Sequence, residues 1–205
     1  MTDLHTANPA VAPPPADPLD LVAAWLAEAE AANFPQPTPL ALATATPDGQ
    51  PSNRMLLLEQ FDRRGFVFSS SRHSRKGHDL AVNPRAELIL YWADPLNRQI
   101  RARGPVQLCS RSEAEAVFAK LERGYQLLAH FPQGEHVTDR LALKQRLAKL
   151  EAAYLDTVPL PDRWASYRLV PDVLEFWEQH ADRLNQRLRH RRGPGGGWGC
   201  EQLVP

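Results

Sequence analysis

The sequence has few cysteines, no surplus of charge and no long apolar run, and each absence excludes a class of protein. The two cysteines, Cys109 and Cys200, match no metal-binding or disulfide spacing, so we expect free thiols, a cytoplasmic protein and no metal site. Lys and Arg number 24, as do Asp and Glu, so neither nucleic acid nor an anionic membrane is an expected partner. Apolar runs such as residues 88–93 are too short to span a bilayer.

The first sixteen residues differ in composition from the rest of the chain. Residues 1–16 are rich in Pro and Ala and lack the basic region and apolar core of a signal peptide, so we expect a disordered tail. A single domain is expected over residues 17–205. Asp17 and Pro18 are typical of a helix start, and further helices are expected at about 73–82, 110–124 and 138–154.

Short extended segments occupy much of the remaining sequence. Asp48-Gly49 is a strong hairpin signal between two of them, and Gly193–Gly197 separates the last two. Many short antiparallel strands with few helices indicate a β-barrel. The expected strands include residues 65–70, 86–92, 97–108, 164–171 and 173–177.

The stretch "SSSRHSRKGH", residues 69–78, concentrates three cations and four hydroxyls. It follows a predicted strand and precedes a predicted helix, where free backbone N–H groups and the helix dipole favour an anion. Arg75 offers a planar fork and Lys76 a point charge, and Arg54 lies nearby if the hairpin forms. Composition alone fits both a phosphate site and a solvated loop.

Longer blocks of the chain resemble the pyridoxamine 5′-phosphate oxidase family. The segment "ALATATPDGQPSNRMLLLEQFDRRGFVFSSSRHSRKGHDLAVNPRAELILYW" looks like its flavin domain, and "PLPDRWASYRLVPDVLEFWEQHADRLNQRLRHRR" looks like its closing segment. The resemblance runs from about residue 17 to Pro205. It implies a mainly β fold with flanking helices, a split β-barrel, with FMN bound between the subunits of a homodimer and a C-terminal dimerisation segment.

The resemblance also implies a set of cofactor contacts. Arg54 and Lys76, with Arg75 beside them, would hold the FMN phosphate, and Gln99 would bind the edge of the ring. Trp177 and Arg187 would reach the flavin from the partner chain. A Gln-Ser pair of the family has no clear counterpart, and Gln133 or Gly134-Glu135 is left open. The full expected set is Arg54, Met55, Leu56, Leu57, Ser69, Ser70, Arg75, Lys76, Gln99, Trp177 and Arg187.

The chain departs from the family where the substrate phosphate is held. Glu59 stands at the position of a Lys, and Val117, Leu121 and Tyr125 stand where a Tyr, an Arg and a Ser are expected. A carboxylate about 4 Å from a phosphate is repelled by about 4 kcal/mol per unit charge at an effective dielectric constant of about 20. The sequence therefore predicts a substrate without phosphate, unless Glu59 points into solvent.

A second departure lies in the closing segment. Arg183-Leu-Asn185 replaces the family's Arg-x-His pair near the reacting carbon, so a cation is kept and a titratable group is lost. We expect Arg183 and Asn185 to be the catalytic residues and to orient the substrate. The helix that contains Trp25 and the strand Leu90-Tyr-Trp92 resemble the phenazine-biosynthesis flavin oxidases, a branch that oxidises unphosphorylated tricyclic rings. The expected substrate contacts are Glu59, Val117, Leu121, Tyr125, Arg183 and Asn185.

The leading hypothesis is an FMN-dependent oxidase of an electron-rich amine or heterocycle that passes electrons to O2, with Glu59 paired with a substrate amine. A true pyridoxine/pyridoxamine 5′-phosphate oxidase is the first alternative. A non-catalytic flavin- or haem-binding split barrel is another, and RNA binding through alternating arginines of "RLRHRR" is less favoured. The histidines considered for haem are His73, His78, His136 and His190.

Overall fold

The computed structural model describes residues 17–36, 38–133 and 139–204. The helices in these ranges are α1 (Pro18–Ala31), α2 (Arg75–Val82), α3 (Arg111–Phe118), α4 (Arg123–Leu128) and α5 (Arg140–Ala153). The strands are β1 (Pro39–Ala45), β2 (Pro51–Leu57), β3 (Gln60–Asp62), β4 (Gly65–Ser71), β5 (Arg85–Trp92), β6 (Arg98–Leu108), β7 (Trp164–Leu169), β8 (Val173–Glu178), β9 (Gln186–Arg192) and β10 (Trp198–Gln202). The predicted N-terminal tail lies outside the described residues.

Strand β6 pairs with different neighbours along its two halves. Its residues 98–103 pair with β8, and its residues 106–108 pair with β7. One path of the antiparallel sheet therefore runs β10-β9-β8-β6-β5-β1-β2, and a branch continues from β6 through β7 to β4 and β3. This division of one sheet at β6 confirms the mainly β split barrel with flanking helices.

Helix α1 covers one side of the barrel. It begins as predicted, because the Asp17 side chain accepts a hydrogen bond from the Leu19 backbone N–H and Pro18 occupies the first turn. Trp25 packs edge-to-face on Phe176 with ring centroids 5.3 Å apart, and the Arg98 guanidinium lies 4.7 Å from the Trp25 ring. The helix thereby fixes the start of β6 and the middle of β8.

The barrel interior follows the two-residue period of its strands. In β1 the inward side chains Leu40, Leu42 and Thr44 are buried, and the residues between them are only partly covered. The predicted hairpin after β1 is confirmed, with Gly49 in the left-handed region at φ 86°. A second, smaller apolar cluster joins α3, α4 and the segment before β7 through Ala114, Phe118, Leu127, Ala129, Val158 and Leu160.

The single helix expected over residues 110–124 is wrong, because the chain turns after Phe118 and a new helix starts at Arg123. Phe118 and Leu127 pack in the same cluster. Nine residues of continuous helix, at 100° each, would place Leu127 on the side opposite Phe118. Gln126 Nε2 donates to the Phe118 carbonyl oxygen at 2.9 Å and satisfies the end of α3.

The short strand β3 was also not predicted, since three residues are too few to show the two-residue alternation of a strand.

Across residues 17–36, 38–133 and 139–204, no helix combines the length and the apolar character needed to cross a membrane.

Gly104 lies where β6 changes partners, and its backbone approaches the Val170 carbonyl too closely for a side chain. A Cβ at this position would overlap the Val170 oxygen. We expect Gly104→Ala to lower the free energy of unfolding by about 1–3 kcal/mol, because the two halves of the sheet must separate to relieve the overlap. Chemical denaturation measures this. Gly199→Ala, whose Cβ would have no atom within 4 Å, is the control, and equal stability of the two variants would contradict the prediction.

Candidate functional site

The predicted phosphate-binding stretch forms the junction of β4 and α2. Ser74 caps the helix, and its Oγ accepts from the Gly77 backbone N–H at 3.3 Å. Lys76 Nζ donates to Ser74 Oγ at 3.4 Å, and Ser70 Oγ lies 3.2 Å from Ser74 Oγ. A Cβ on Gly77 would lie 2.5 Å from the Arg72 carbonyl oxygen, so this tight turn requires glycine.

Arg54 is fixed beside this junction by hydrogen-bond partners on β1 and β2. Its Nη1 donates to the Leu42 carbonyl at 3.1 Å and to Thr44 Oγ1 at 2.9 Å, and its Nη2 donates to Ser52 Oγ at 2.5 Å. Thr44 in turn donates to Asp79 Oδ2 at 2.6 Å, and Asp79 is only 4% exposed. Asp79 therefore orients Arg54 through Thr44.

We call Arg54, Ser70, Ser74, Arg75 and Lys76 the anion cradle. Burial lowers the pKa of Lys76, and the charge of Arg54 lowers it further. Burial also lowers the pKa of Arg54, with Asp79 acting in the opposite direction and Arg75 in the same one. Among the described ion pairs, none includes a cation of the cradle. Converging cations without paired carboxylates, at a helix N-terminus, suit a phosphate group.

Glu59, which follows β2, turns its side chain inward. Its backbone N–H donates to the Val67 carbonyl at 2.9 Å. Its Oε2 accepts a hydrogen bond from Ser69 Oγ, and Ser69 Oγ lies 2.8 Å from Ser166 Oγ. Burial raises the pKa of Glu59 to about 7, against the opposing effect of its hydrogen bonds from Ser69. An outward, solvated Glu59 is thus not what the structure shows.

The Glu59 side chain faces a cavity of about 380 Å³ between β2 and α4, which we call the Glu59 cavity. Strand β2 ends the main sheet path, so its outer edge pairs with no other strand in the described part of the chain. A second cavity of about 580 Å³ adjoins it and adds Val117, Lys120 and Glu122 to the walls. The Glu59 cavity is lined by Pro39, Met55, Leu56, Leu57, Glu59, Ser69, Leu121, Tyr125, Leu128, Ala129, Gln133 and Trp164.

The two cavities bring together residues that the sequence assigned to two ligands. Met55, Leu56 and Leu57 were expected under the flavin, and Leu121 and Tyr125 were expected at the substrate; all five line the Glu59 cavity. Val117 lines the adjoining cavity together with Glu59. Gln133, one of the candidates left open, also lines the Glu59 cavity, whereas Gly134-Glu135 lie outside the described residues.

Ser69 and Ser70 have different partners, because adjacent side chains of a strand point to opposite faces. The Ser69 hydroxyl bonds Glu59 and Ser166, whereas the Ser70 hydroxyl reaches Ser74. The sequence grouped both serines with the cofactor. The Ser70 hydroxyl therefore belongs to the anion cradle, whereas Ser69 lines the Glu59 cavity together with Met55, Leu56 and Leu57, and its contact with the cofactor stays a prediction.

Gln99, Trp177 and Arg187 form one row across β6, β8 and β9. Gln99 is opposite Trp177, and Trp177 is opposite Arg187. Trp177 is four strand spacings from β2 along the sheet, or roughly 19 Å at about 4.8 Å per spacing. Arg187 Nε donates to Glu175 Oε1 at 2.8 Å. The contacts of Gln99, Trp177 and Arg187 with a cofactor stay predictions.

Arg183 and Asn185 lie in the loop between β8 and β9. Arg183 is exposed and has φ 67°, and Asn185 Oδ1 accepts from the His180 backbone N–H at 3.1 Å. Neither residue is among those that line the Glu59 cavity. Their catalytic and substrate-orienting roles stay predictions.

The features considered for haem and RNA have structural explanations. His190 is 1% exposed and packs edge-to-face on Phe176, so it is a core residue. His136 lies outside the described residues. Arg187 and Arg189 both pair with Glu175, and Arg191 pairs with Glu201. The described part of the chain contains no group of three potential metal ligands.

Several residues of the site were not identified from the sequence. Thr44 could have been identified, because it is a polar residue at a position whose two-residue spacing from Leu40 and Leu42 predicts an inward side chain. Asp79 and Ser166 carried none, since each meets its partner only through tertiary contacts.

Two family models match the chain. The pyridoxamine 5′-phosphate oxidase model matches residues 26–154, and the pyridoxine 5′-phosphate oxidase C-terminal dimerisation region matches residues 164–205. The pyridoxine/pyridoxamine 5′-phosphate oxidase of Gluconobacter oxydans is 42% identical over 192 residues, which cover 93% of this chain and 95% of that protein. The protein of the same name from Bordetella petrii is 40% identical over 190 residues, with 93% and 90% coverage.

Solved structures agree with these matches. PhzG from Burkholderia lata 383, in complex with tetrahydrophenazine-1-carboxylic acid, is 36% identical with a TM-score of 0.87 and covers 94% of both chains. A pyridoxamine 5′-phosphate oxidase-related, FMN-binding protein from Nostoc punctiforme, 20% identical, has the same fold with a TM-score of 0.75 over 96% of this chain and 99% of that one.

The likenesses confirm the resemblance expected from the sequence, including its relation to the phenazine-biosynthesis branch. They also confirm FMN as the cofactor, in keeping with the anion cradle, and the C-terminal region supports the expected homodimer. The chain therefore belongs to the pyridoxamine 5′-phosphate oxidase family, whose members are FMN-dependent oxidoreductases.

Proposed function

We propose that this protein is an FMN-dependent oxidase of an unphosphorylated amine or reduced heterocycle, with O2 as the electron acceptor. The observation that carries the proposal is the inward position of Glu59. The carboxyl group faces the cavity that Leu121 and Tyr125 also line. None of the described ion pairs involves Glu59, whose described side-chain partner is Ser69. FMN, when bound, supplies the hydride acceptor.

Glu59 is the only acidic or basic side chain among the described residues that line the Glu59 cavity, and its charge opposes a phosphorylated substrate there, whereas Lys120 and Glu122 line only the adjoining cavity. An ionised Glu59 repels a phosphate about 4 Å away by about 4 kcal/mol per unit charge at an effective dielectric constant of about 20. A protonated Glu59 removes the repulsion but supplies no cation. Val117 and Leu121 offer no hydrogen-bond donors, and Tyr125, 50% exposed, is available to stack on a flat ring.

The similar proteins support two readings of the substrate. PhzG from Burkholderia lata, 36% identical, was crystallised with an unphosphorylated tricyclic acid. The curated relatives at 40–42% identity are named for pyridoxine and pyridoxamine 5′-phosphates, which supports the alternative of a vitamin B6 oxidase. The position of Glu59 favours the first reading.

The proposal gives each group of residues a role. The anion cradle holds the FMN phosphate, and Met55, Leu56 and Leu57 lie along the flavin. Gln99, Trp177 and Arg187 contact the cofactor bound to the partner chain, so FMN lies at the subunit interface. Arg183 and Asn185 orient the substrate, and the protein functions in the cytoplasm.

Substrate preference is the first test. We expect the bound flavin to be reduced anaerobically by tetrahydrophenazine-1-carboxylic acid at least roughly 100-fold more efficiently than by pyridoxamine 5′-phosphate. A phosphate carries about −1.5 to −2 charges and a carboxylate only one, so Glu59 repels the second compound more strongly. Stopped-flow absorbance of the flavin measures both rates. Efficient oxidation of pyridoxamine 5′-phosphate at micromolar concentration would establish the alternative instead.

Restoring the family's charge is the second test. Glu59→Lys should raise the affinity for pyridoxamine 5′-phosphate at least roughly 10-fold, since it replaces a repulsion with a charge-assisted bond. Spectral titration of the flavin measures the affinity. Glu115→Lys, an equal charge change on the outer surface of α3, is the control, and the same gain in both variants would show that overall charge is responsible.

The anion cradle is tested by cofactor affinity. Lys76→Gln should weaken FMN binding roughly 10- to 150-fold, the loss of one charge-assisted bond of about 1.5–3 kcal/mol. Quenching of FMN fluorescence measures the dissociation constant. Riboflavin, which lacks the phosphate, should bind both forms equally, and Arg72→Gln, an exposed neighbour, should bind FMN normally. Equal loss of riboflavin affinity would argue against a phosphate role for Lys76.

The shared site is tested by mixing two defective chains. A heterodimer of Lys76→Gln with Trp177→Ala has one normal and one doubly defective site if the cradle and Trp177 come from different chains. We therefore expect about half of the wild-type content of tightly bound FMN, as one of two equivalent sites is restored. Absorbance of the purified, differentially tagged heterodimer measures it. Recovery no better than in either mutant homodimer would place both residues in the same chain's site.

A further inference from the structure

Asn185 stands where the family resemblance expects a histidine, so a substrate proton has no titratable acceptor there. Glu59 is a half-buried carboxyl group that lines the Glu59 cavity together with Met55, Leu57, Leu121 and Tyr125. We propose that Glu59 is a catalytic residue that accepts the proton released by a substrate nitrogen. This inference rests on the proposed function and adds that the substrate carries an N–H beside the carbon that is oxidised.

The proposed step balances as follows. The C–H bond of an H–C–N–H unit breaks, and FMN, held by the anion cradle, would supply the acceptor for its hydrogen and electron pair as hydride. The N–H bond breaks as well, its electron pair becomes the second bond of C=N, and its proton goes to the carboxylate of Glu59. The substrate thus loses two electrons, and O2, as the final acceptor, would take them up with two protons to give hydrogen peroxide.

A chain of hydroxyls holds the carboxyl group in place. Ser69 Oγ donates to Glu59 Oε2, so the Ser166 hydroxyl, 2.8 Å from Ser69 Oγ, donates to Ser69. Ser69 and Ser166 are 6% and 1% exposed. Among the described residues, Ser69 alone supplies hydrogen bonds to this carboxyl. A carboxylate has about four lone-pair sites, so it can also accept from a substrate N–H.

The surroundings suit a base that works near neutrality. Burial raises the pKa of Glu59 to about 7, and a general base is most effective when its pKa lies near the working pH. The other titratable groups on the walls of the two cavities are Lys120, Glu122 and Tyr125. None of these three forms a described ion pair with Glu59, so its titration is governed by burial and by Ser69.

The experiment follows anaerobic reduction of the bound flavin by tetrahydrophenazine-1-carboxylic acid as a function of pH. The wild-type rate should rise with the ionisation of one group whose midpoint is about 7. Glu59→Gln should be slower by roughly 10²- to 10⁴-fold and independent of pH, because the amide cannot accept the proton. Glu59→Asp should keep the pH dependence. Glu115→Gln, on the exposed face of α3, should match the wild type.

Ser69→Ala provides a readout that a merely structural role of Glu59 would not move. The hydrogen bond from Ser69 stabilises the ionised carboxylate and lowers its pKa. Its loss therefore raises the folded-state pKa further, and the rising limb of the pH profile should move to higher pH. Infrared difference spectra of the substrate-free holoenzyme should show the same carboxyl titration, absent in Glu59→Gln and shifted upward in Ser69→Ala.

The outcomes separate this inference from the proposed function. A Glu59→Gln enzyme that is reduced at the wild-type rate with an unchanged pH profile overturns the proton-acceptor role and leaves the proposed function standing. An infrared titration that is unaffected by Glu59→Gln likewise overturns it, whatever the substrate. A wild-type holoenzyme that the tricyclic acid does not reduce, but pyridoxamine 5′-phosphate does, overturns both.

Discussion

The division of β6 between two partners is the constraint on which the rest of this structure depends. The first half of the strand pairs with β8 and the last with β7, and Gly104 between them permits the close approach of the Val170 carbonyl. Trp177 on β8 and Arg187 on β9 are therefore four and five strand positions from β2 along the sheet path. Both residues belong to the part of the chain that matches the family's C-terminal dimerisation region, residues 164–205.

Two neighbouring sites of opposite electrostatic character share strand β4. On one face, Ser70 belongs to an anion cradle whose cations have no paired carboxylate among the described residues. On the other face, Ser69 holds Glu59, a carboxyl group without a described cationic partner. The proposed chemistry follows from this separation: the cofactor's phosphate belongs at the first site, and a substrate that carries a nitrogen instead of a phosphate belongs at the second.

The accuracy of the sequence predictions followed the range of the interactions involved. The start of α1 and the hairpin at Asp48-Gly49 depend on neighbouring residues, and both were predicted. The segment 110–124 was wrongly predicted as one helix, because apolar spacing does not reveal a turn that brings Phe118 and Leu127 into one cluster. The family resemblance supplied the fold and the cofactor, which composition and periodicity alone could not.

The sequence by itself determined that position 59 carries a carboxyl group where the family resemblance expects a lysine. Only the tertiary structure decided that this carboxyl group is half-buried and oriented by Ser69, and that Asp79 orients Arg54 through Thr44. The physical reason is sequence separation. Ser69 and Ser166 are 97 residues apart and Thr44 and Asp79 are 35 apart, so their hydrogen bonds exist only once the barrel has closed.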